Sequence, residues 1–180
     1  MIRPFSEKPA NLVKRFSEQA NLTPDKALFF EKQKGLWSGL TYSQIKLRVS
    51  QLAVYMTELG LQPGDHVLLC AENRVDWAVA DLAIMAIGCV VVPAYTTNTD
   101  DDHAWLVAHS QVKLIISCSG KIADSLVRVL SEKDSVSNII LMDKSLVDLK
   151  SPQNVSIHFL QDIYSGSKKH RPLDEITYNS

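Results

Sequence analysis

From Leu59 to Tyr95 the chain reads LGLQPGDHVLLCAENRVDWAVADLAIMAIGCVVVPAY, a turn, strand, loop, helix and second strand in which almost every strand position is apolar. A strand that faces water on one side alternates apolar with polar residues. Val67-Leu68-Leu69-Cys70 and Val90-Val91-Val92 do not alternate, so helices are expected over both of their faces. That restricts the chain to an α/β architecture, a parallel sheet with flanking helices. With 46% hydrophobic content in 180 residues, it can bury such a core as one domain or as a large piece of one. Trp77 to Tyr95 approaches the length of a membrane span, but Asp81 interrupts it and Gly88 and Pro93 punctuate it. A buried helix followed by a buried strand explains it better, and no transmembrane segment is expected.

Residues 1–60 read as a preamble to that sheet. Leu12, Phe16 and Ala20 recur at helical spacing, and Asn21-Leu22-Thr23-Pro24-Asp25 supplies the stop. Ala27 to Glu31 and Gly35 to Ser38 read as two short strands around the turn Lys32-Gln33-Lys34. Thr41 with Gln44 forms a capping box, and Ile45, Val49, Leu52, Met56 and Leu59 trace one face of a helix that Gly60 ends. Residues 61–142 then alternate: strand 66–70, helix about 75–87, strand 89–93, helix about 100–109, strand 113–117, helix about 121–131 and strand 138–142. Four parallel strands are predicted. Residues 143–180 read as a loosely structured connection, with Val155 to Leu160 a candidate further strand and Ser165 to Lys169 an exposed loop.

The formal charge of −1 offers nothing that would draw nucleic acid. Cys70, Cys89 and Cys118 each fall in a predicted buried strand and share no metal-ligand spacing, which suits reduced thiols in a cytoplasmic protein. The first residues lack the apolar stretch of a signal peptide. The loop Ala71-Glu72-Asn73-Arg74 has no glycines for a dinucleotide pyrophosphate, and no Walker loop or G-x-S-x-G elbow occurs.

Pro24-Asp25-Lys26-Ala27, the Thr41-Tyr42 helix start, LGLQPGDHVLLCAEN and DLAIMAIGCVVVPAYTTNT, in that order and spacing, resemble the N-terminal region of the adenylate-forming (AMP-dependent) synthetases, especially the long-chain fatty acyl-CoA synthetases. The resemblance covers about residues 10–142 and implies a function. Such enzymes activate a fatty acid with ATP and magnesium to acyl-AMP, then transfer the acyl group to coenzyme A. Their phosphate-gripping Ser/Thr/Gly segment and catalytic lysine lie downstream of the matched region. The resemblance therefore implies the N-terminal part of the large domain of an enzyme roughly three to four times this length. Such a piece is expected to be inactive alone, to self-associate through uncovered apolar surface, and to come from a cytoplasmic parent peripheral to the membrane. A stand-alone flavodoxin-like binding or regulatory module fits the same alternation of elements, and a catalytically empty interaction domain is a third reading.

Ligands of a parallel sheet gather beyond the carboxyl ends of its strands. The loops at Asn73, at Tyr95-Thr96-Thr97 and at Ser119-Gly120-Lys121 should share that rim. In relatives that use coenzyme A, the loops matching the second and third lie near its nucleotide part, which makes these six residues a candidate coenzyme A rim. Ala94 and Tyr95 stand where some relatives have glycines. The plainer reading makes Thr96, Thr97 and Lys121 turn and surface residues. Asn73 reads more simply as a brace between its loop and the following helix. Asp100-Asp101-Asp102-His103 reads as a cap with Thr99 rather than as a metal site, and His103 and His109 fall on different helical faces. Trp77, Met85 and Trp105 read as core or interface side chains.

Overall fold

The computed structural model describes residues 11–33, 35–118, 120–130, 136–144, 154–166 and 171–176. It opens with helix α1 (Leu12–Leu22), whose first turn is capped by the Asn11 side chain accepting from the Lys14 N–H at 2.8 Å. Strands β1 (Ala27–Gln33) and β2 (Leu36–Thr41) form an antiparallel hairpin. Lys32 and Gln33, expected in the turn, pair with Trp37 and Leu36, so the hairpin is longer than its sequence suggests. Lys34 lies outside the described residues. Thr41 then caps α2 (Tyr42–Glu58) with the expected box: the Thr41 N–H donates to Gln44 Oε1 at 2.8 Å and the Gln44 N–H to Thr41 Oγ1 at 3.3 Å.

The main sheet has five parallel strands, β3 (His66–Cys70), β4 (Val90–Pro93), β5 (Leu114–Ser117), β6 (Asn138–Leu141) and β7 (Ser156–Phe159), in the order β4-β3-β5-β6-β7. The fifth is the run at 155–160, which pairs with β6 as an outer strand. Helices α3 (Val75–Ala86), α4 (Asp100–His109) and α5 (Lys121–Leu130) make the crossovers. Side chains divide as a pleated strand requires. Val67, Leu69, Leu114, Ile116 and Ile140 join the core under α1, α2 and α3. Leu68, Cys70, Ile115, Ile139 and Leu141 join a second core under α4 and α5. Both faces are covered, as the unbroken apolar strands demand.

Cys89 and Cys118 lie just outside the strand ends rather than within them, and all three thiols are free and buried. Of the two places expected for Trp105, core or interface, it is not in the core: it is 60% exposed and stacks on the His109 ring at 4.5 Å. The described part of 143–180 is more ordered than its composition suggests. Helix α6 (Leu160–Gly166) absorbs Ser165 and Gly166, which were expected in a loop, and α7 (Leu173–Ile176) follows; Ser167 to Lys169 lie outside the described residues. Leu160, Ile163 and Leu173 are buried in the core that α2 and α3 share.

Those helices are held by long-range polar contacts. Arg74, the residue before α3, donates to both oxygens of Asp143 at 2.7 and 3.1 Å and to Asp76 Oδ2 at 2.8 Å. Burial alone would lower the Arg74 pKa, but hydrogen bonds to Asp143 and Asp76, with the charges of both carboxylates, hold it above the usual arginine value. Arg48 of α2 lies 3.8 Å from Asp76 and stacks its guanidinium over the Tyr164 ring of α6 at 5.3 Å. Gln51 donates to the Tyr164 carbonyl at 3.2 Å. On β7, His158 lies 2.8 Å from both the Tyr55 hydroxyl and Asn138 Oδ1.

Arg74→Ala should cost about 2–4 kcal/mol, because removing one partner of a partly buried ion pair leaves its carboxylates uncompensated. The Arg74 side chain is 27% exposed, which keeps the loss short of a fully buried pair. Lys144→Ala, at the exposed Lys144–Asp162 bridge, should stay within about 0.5 kcal/mol. Urea unfolding midpoints measure both, and equal losses would contradict the assignment of Arg74 as the tie between β6 and α3.

Candidate functional site

The carboxyl ends of β3 and β4 enclose a cleft of ≈ 600 Å³. Ala71, Glu72 and Asn73 from the loop after β3 form one side, and Pro93, Ala94, Tyr95 and Thr96 from the end of β4 form the other. Trp77, in the first turn of α3, closes it. The local chain explains these positions. Pro93 pairs with Leu69 on the outer strand β4, where a missing N–H is tolerated, and the Ala94 N–H continues the ladder to the Leu69 carbonyl at 3.0 Å. The Tyr95 carbonyl accepts from the Asn98 N–H at 3.2 Å, closing a turn. Immediately afterwards Thr99 and Asp102 form a second capping box at the start of α4. The loop is therefore pinned at both ends while the Tyr95 ring stands 80% exposed.

The candidate residues separate into groups. Asn73, Tyr95 and Thr96 meet in the cleft, and Thr97 continues the turn without lining it. Gly120 and Lys121 open α5 after β5, on the far side of β3 from β4, and Ser119 lies outside the described residues. With strands spaced about 4.8 Å apart, the start of α5 is roughly 10 Å along the sheet from the end of β4. Ala71, Glu72, Trp77 and Pro93 are the lining residues that the sequence did not single out for the site. Trp77 could have been found from its position: a first-turn side chain leans back toward the helix N-terminus, and here that is the loop end of β3.

Asn73 is not the expected brace. It is exposed, and the N–H of Val75 at the start of α3 is instead taken by Glu31 Oε1 of the hairpin at 3.3 Å. Asp100 is occupied by the Arg128 guanidinium and the Ser125 hydroxyl, and Asp102 by the Thr99 cap. Among the described residues no group of three or more His, Cys, Asp or Glu side chains is arranged to hold a metal ion.

The thiol at the end of β3 is not activated. Burial, then the neighbouring Cys118, pushes the Cys70 thiol up to about 11, so it remains a thiol at neutral pH. Glu72 is an exposed lining residue, and its charge makes this end of the cleft better suited to hydrogen-bond donors than to phosphate. Trp77 and Tyr95 offer two aromatic surfaces to a flat group. A cation that could meet a phosphate, Lys121, stands outside the cleft at the next strand but one.

A family model described as AMP-binding enzyme matches residues 16–175. A long-chain-fatty-acid–CoA ligase of Mycobacterium tuberculosis is 29% identical over 94 residues, 52% of this chain and 16% of that protein. Fatty acyl-CoA synthetase A of Dictyostelium discoideum is 26% identical over 159 residues, 87% of this chain and 24% of that protein. The chain thus spans about a quarter or less of the length of these relatives. A benzoate CoA ligase from Burkholderia xenovorans superposes with a TM-score of 0.72 at 18% identity, over 89% of this chain and 29% of that one. Coronafacic acid ligase from Pectobacterium brasiliense gives 0.73 at 16% identity, over 90% and 30%. The five-stranded parallel sheet with its flanking helices is therefore also the fold found in CoA ligase structures.

Gly120 holds φ at +79° with nothing within 4 Å of an added Cβ, so Gly120→Ala should cost about 1–2 kcal/mol through backbone strain alone. Gly166→Ala, also in open space but without positive φ, should be neutral within about 0.5 kcal/mol. Denaturant midpoints compare them, and a neutral Gly120→Ala would show that the rim at α5 is not conformationally fixed.

Proposed function

We propose that this chain, which belongs to the AMP-binding enzyme family, forms the N-terminal part of the large domain of an ATP-dependent acyl-CoA synthetase and carries part of its coenzyme A site. The parent enzyme would join a fatty acid, most simply a long-chain one, to AMP with loss of pyrophosphate from magnesium-bound ATP, then pass the acyl group to coenzyme A. A long-chain-fatty-acid–CoA ligase and a fatty acyl-CoA synthetase among the relatives support the substrate class. A flavodoxin-like module would share the sheet order but not the family match across residues 16–175.

The observation that carries the coenzyme A assignment is the strand-end cleft lined by Trp77, Tyr95, Glu72 and Asn73. In this reading an adenine ring would stack on Trp77 or Tyr95, both of which line the cleft, and its exocyclic amine would donate to Glu72 or to the Asn73 amide oxygen. The phosphates then run outward, away from Glu72 and past the Thr96 and Thr97 hydroxyls toward Lys121. Tyr95 replaces the close backbone approach that glycine allows in some relatives with a stacking surface. The cleft's carboxylate, Glu72, is assigned to accepting from the nucleobase amine rather than to adenylation chemistry. The described residues are assigned to holding and orienting the nucleotide end of coenzyme A, and acyl-adenylate formation to the parent enzyme's other segments.

Coenzyme A should quench the fluorescence of Trp77, and the quench should vanish in Trp77→Phe while Trp37 and Trp105 remain. Tyr95→Ala should leave stability within about 0.5 kcal/mol, because the ring is exposed, yet weaken binding by about 1 kcal/mol, the worth of one aromatic contact. Lys121→Ala should weaken it by a similar amount, about 1 kcal/mol. No pyrophosphate should form from ATP and fatty acid above a no-protein control. A quench that survives Trp77→Phe, or turnover by this chain alone, would refute the reading.

The same reading places the chain in a cytoplasmic enzyme that meets membranes peripherally; no described helix is long and apolar enough to cross one. It also has the isolated chain self-associate. Phe30, Leu36 and Trp37 of the hairpin are 61–77% exposed, an apolar edge that a monomer seldom leaves open. Light scattering across a dilution series should show mass falling on dilution. A constant monomeric mass at high micromolar concentration would contradict it.

A further inference from the structure

We propose that His158 is an acid-sensitive latch for the outer strand β7: its neutral ring ties β7 to α2 and β6 through one directed chain of hydrogen bonds, and protonation breaks that chain at α2. The inference rests on the fold alone and is independent of the coenzyme A reading.

Among the described residues β7 pairs with β6 alone, and His158 lies opposite Ile140. Its ring is half-buried against α2 and meets the Tyr55 ring edge-on, with centroids 5.6 Å apart. The Tyr55 hydroxyl is 2.8 Å from Nδ1. Nε2 is 2.8 Å from Oδ1 of Asn138, which shares a face of β6 with Ile140. An amide oxygen only accepts, so Nε2 carries the proton. In a neutral imidazole Nδ1 then holds the lone pair and accepts from the Tyr55 O–H. Burial, then Glu58 and Asp162, hold the Tyr55 hydroxyl above the ordinary tyrosine value, so it keeps the proton that it donates.

An acid proton enters at Nδ1, which can then no longer accept. Nε2–H still donates to Asn138, but the Tyr55 hydroxyl must turn from donor to acceptor, and its own proton loses this partner. The ring also becomes a cation while both of its nitrogens are bonded to neutral groups, a phenol and an amide. A half-buried charge so placed costs more than the same charge in water. Helix α6 follows β7 without a break, so loosening the strand loosens the helix that carries Tyr164. An outer strand held by one neighbour can open without the rest of the sheet.

Tyr55 from α2 and Asn138 from β6 are the groups on the ring itself. Glu58 of α2 and Asp162 of α6 act on the Tyr55 hydroxyl, and Asp162 is also paired with Lys144, just past β6. Burial lowers the His158 pKa, so the unfolded chain takes up the proton at a higher pH than the folded one. Stability linked to this group is complete above the ordinary histidine value and is lost as pH falls from there through the lowered folded value. The latch is therefore closed at neutral pH and weakens in acid. A carboxylate in place of the Asn138 amide would reverse that preference, because it keeps the acceptor at Nε2–H and pairs the imidazolium.

The test follows the His158 ring nitrogens by NMR, and the hydrogen-exchange protection of the β7 amides against those of β3, in the full chain from about pH 4 to about pH 8. The inference expects the Nε2–H tautomer at the alkaline end and a His158 titration below the ordinary histidine range. It also expects β7 to lose protection relative to β3 with the same midpoint, once exchange is corrected for its intrinsic pH dependence. Asn138→Asp should shift that midpoint upward and keep β7 protected in acid. The Nδ1–H tautomer, a ring that does not titrate in this range, β7 protection that stays level while His158 titrates, or an Asn138→Asp midpoint no higher than the wild-type one would each overturn it. Where Asn138→Asp does not fold, the wild-type tautomer and titration decide.

Discussion

The guanidinium of Arg74 sits where β3 hands over to α3, and its planar set of donors reaches Asp143, just past β6, and Asp76, in the first turn of α3, at the same time. A lysine could place a charge there but could not fork to two carboxylates in fixed directions. The consequence runs in two directions. Outward, Asp76 also meets Arg48 of α2, which stacks on Tyr164 and so docks α6 beside the sheet. Inward, the start of α3 is fixed relative to the strand ends, and with it Trp77, the wall of the cleft. Glu31 adds a third tie by accepting from the first turn of α3 out of the hairpin. Removing the fork would loosen helix, outer segment and site wall together.

How much of this is legible in the sequence depends on how far apart the partners lie. Strands β3 to β6 are readable because apolar runs bounded by turns need cover on both faces. Both capping boxes are readable because Thr41 with Gln44, and Thr99 with Asp102, are local patterns. The Arg74–Asp143 pair spans 69 positions and carries no local signature, and neither does Arg48 over Tyr164. For that reason β7, α6 and α7 look like loose connection on paper: their anchors are few, and the groups that receive them lie on α1 and α2. Ser17 bonds Asp174, and Ser50 the Arg171 carbonyl.

The site shows the same division. The rule that ligands collect at strand ends picked out Asn73, Tyr95 and Thr96, which do share a cleft. It could not separate the β5 end, where Gly120 and Lys121 stand apart from that cleft because β3 lies between. Trp77 was hidden by its apolar helix, since a tryptophan there reads as core unless its turn is located first. His103 was readable as unsuited to a metal, but its burial and its partners Ser125 and Cys70, which come from other elements, were not. What the fold adds to the sequence is a rim whose ring surfaces face outward while its backbone is tied to buried groups, an arrangement suited to holding a ligand rather than reacting with it.

Intermolecular proton–proton contacts between bound coenzyme A and the isotopically labelled chain test that account most directly. The account predicts contacts from adenine H2 and H8 to the rings of both Trp77 and Tyr95, with none from the pantetheine end inside the cleft. Adenine contacts confined to other surfaces, or a cleft occupied by the pantetheine chain, would contradict it.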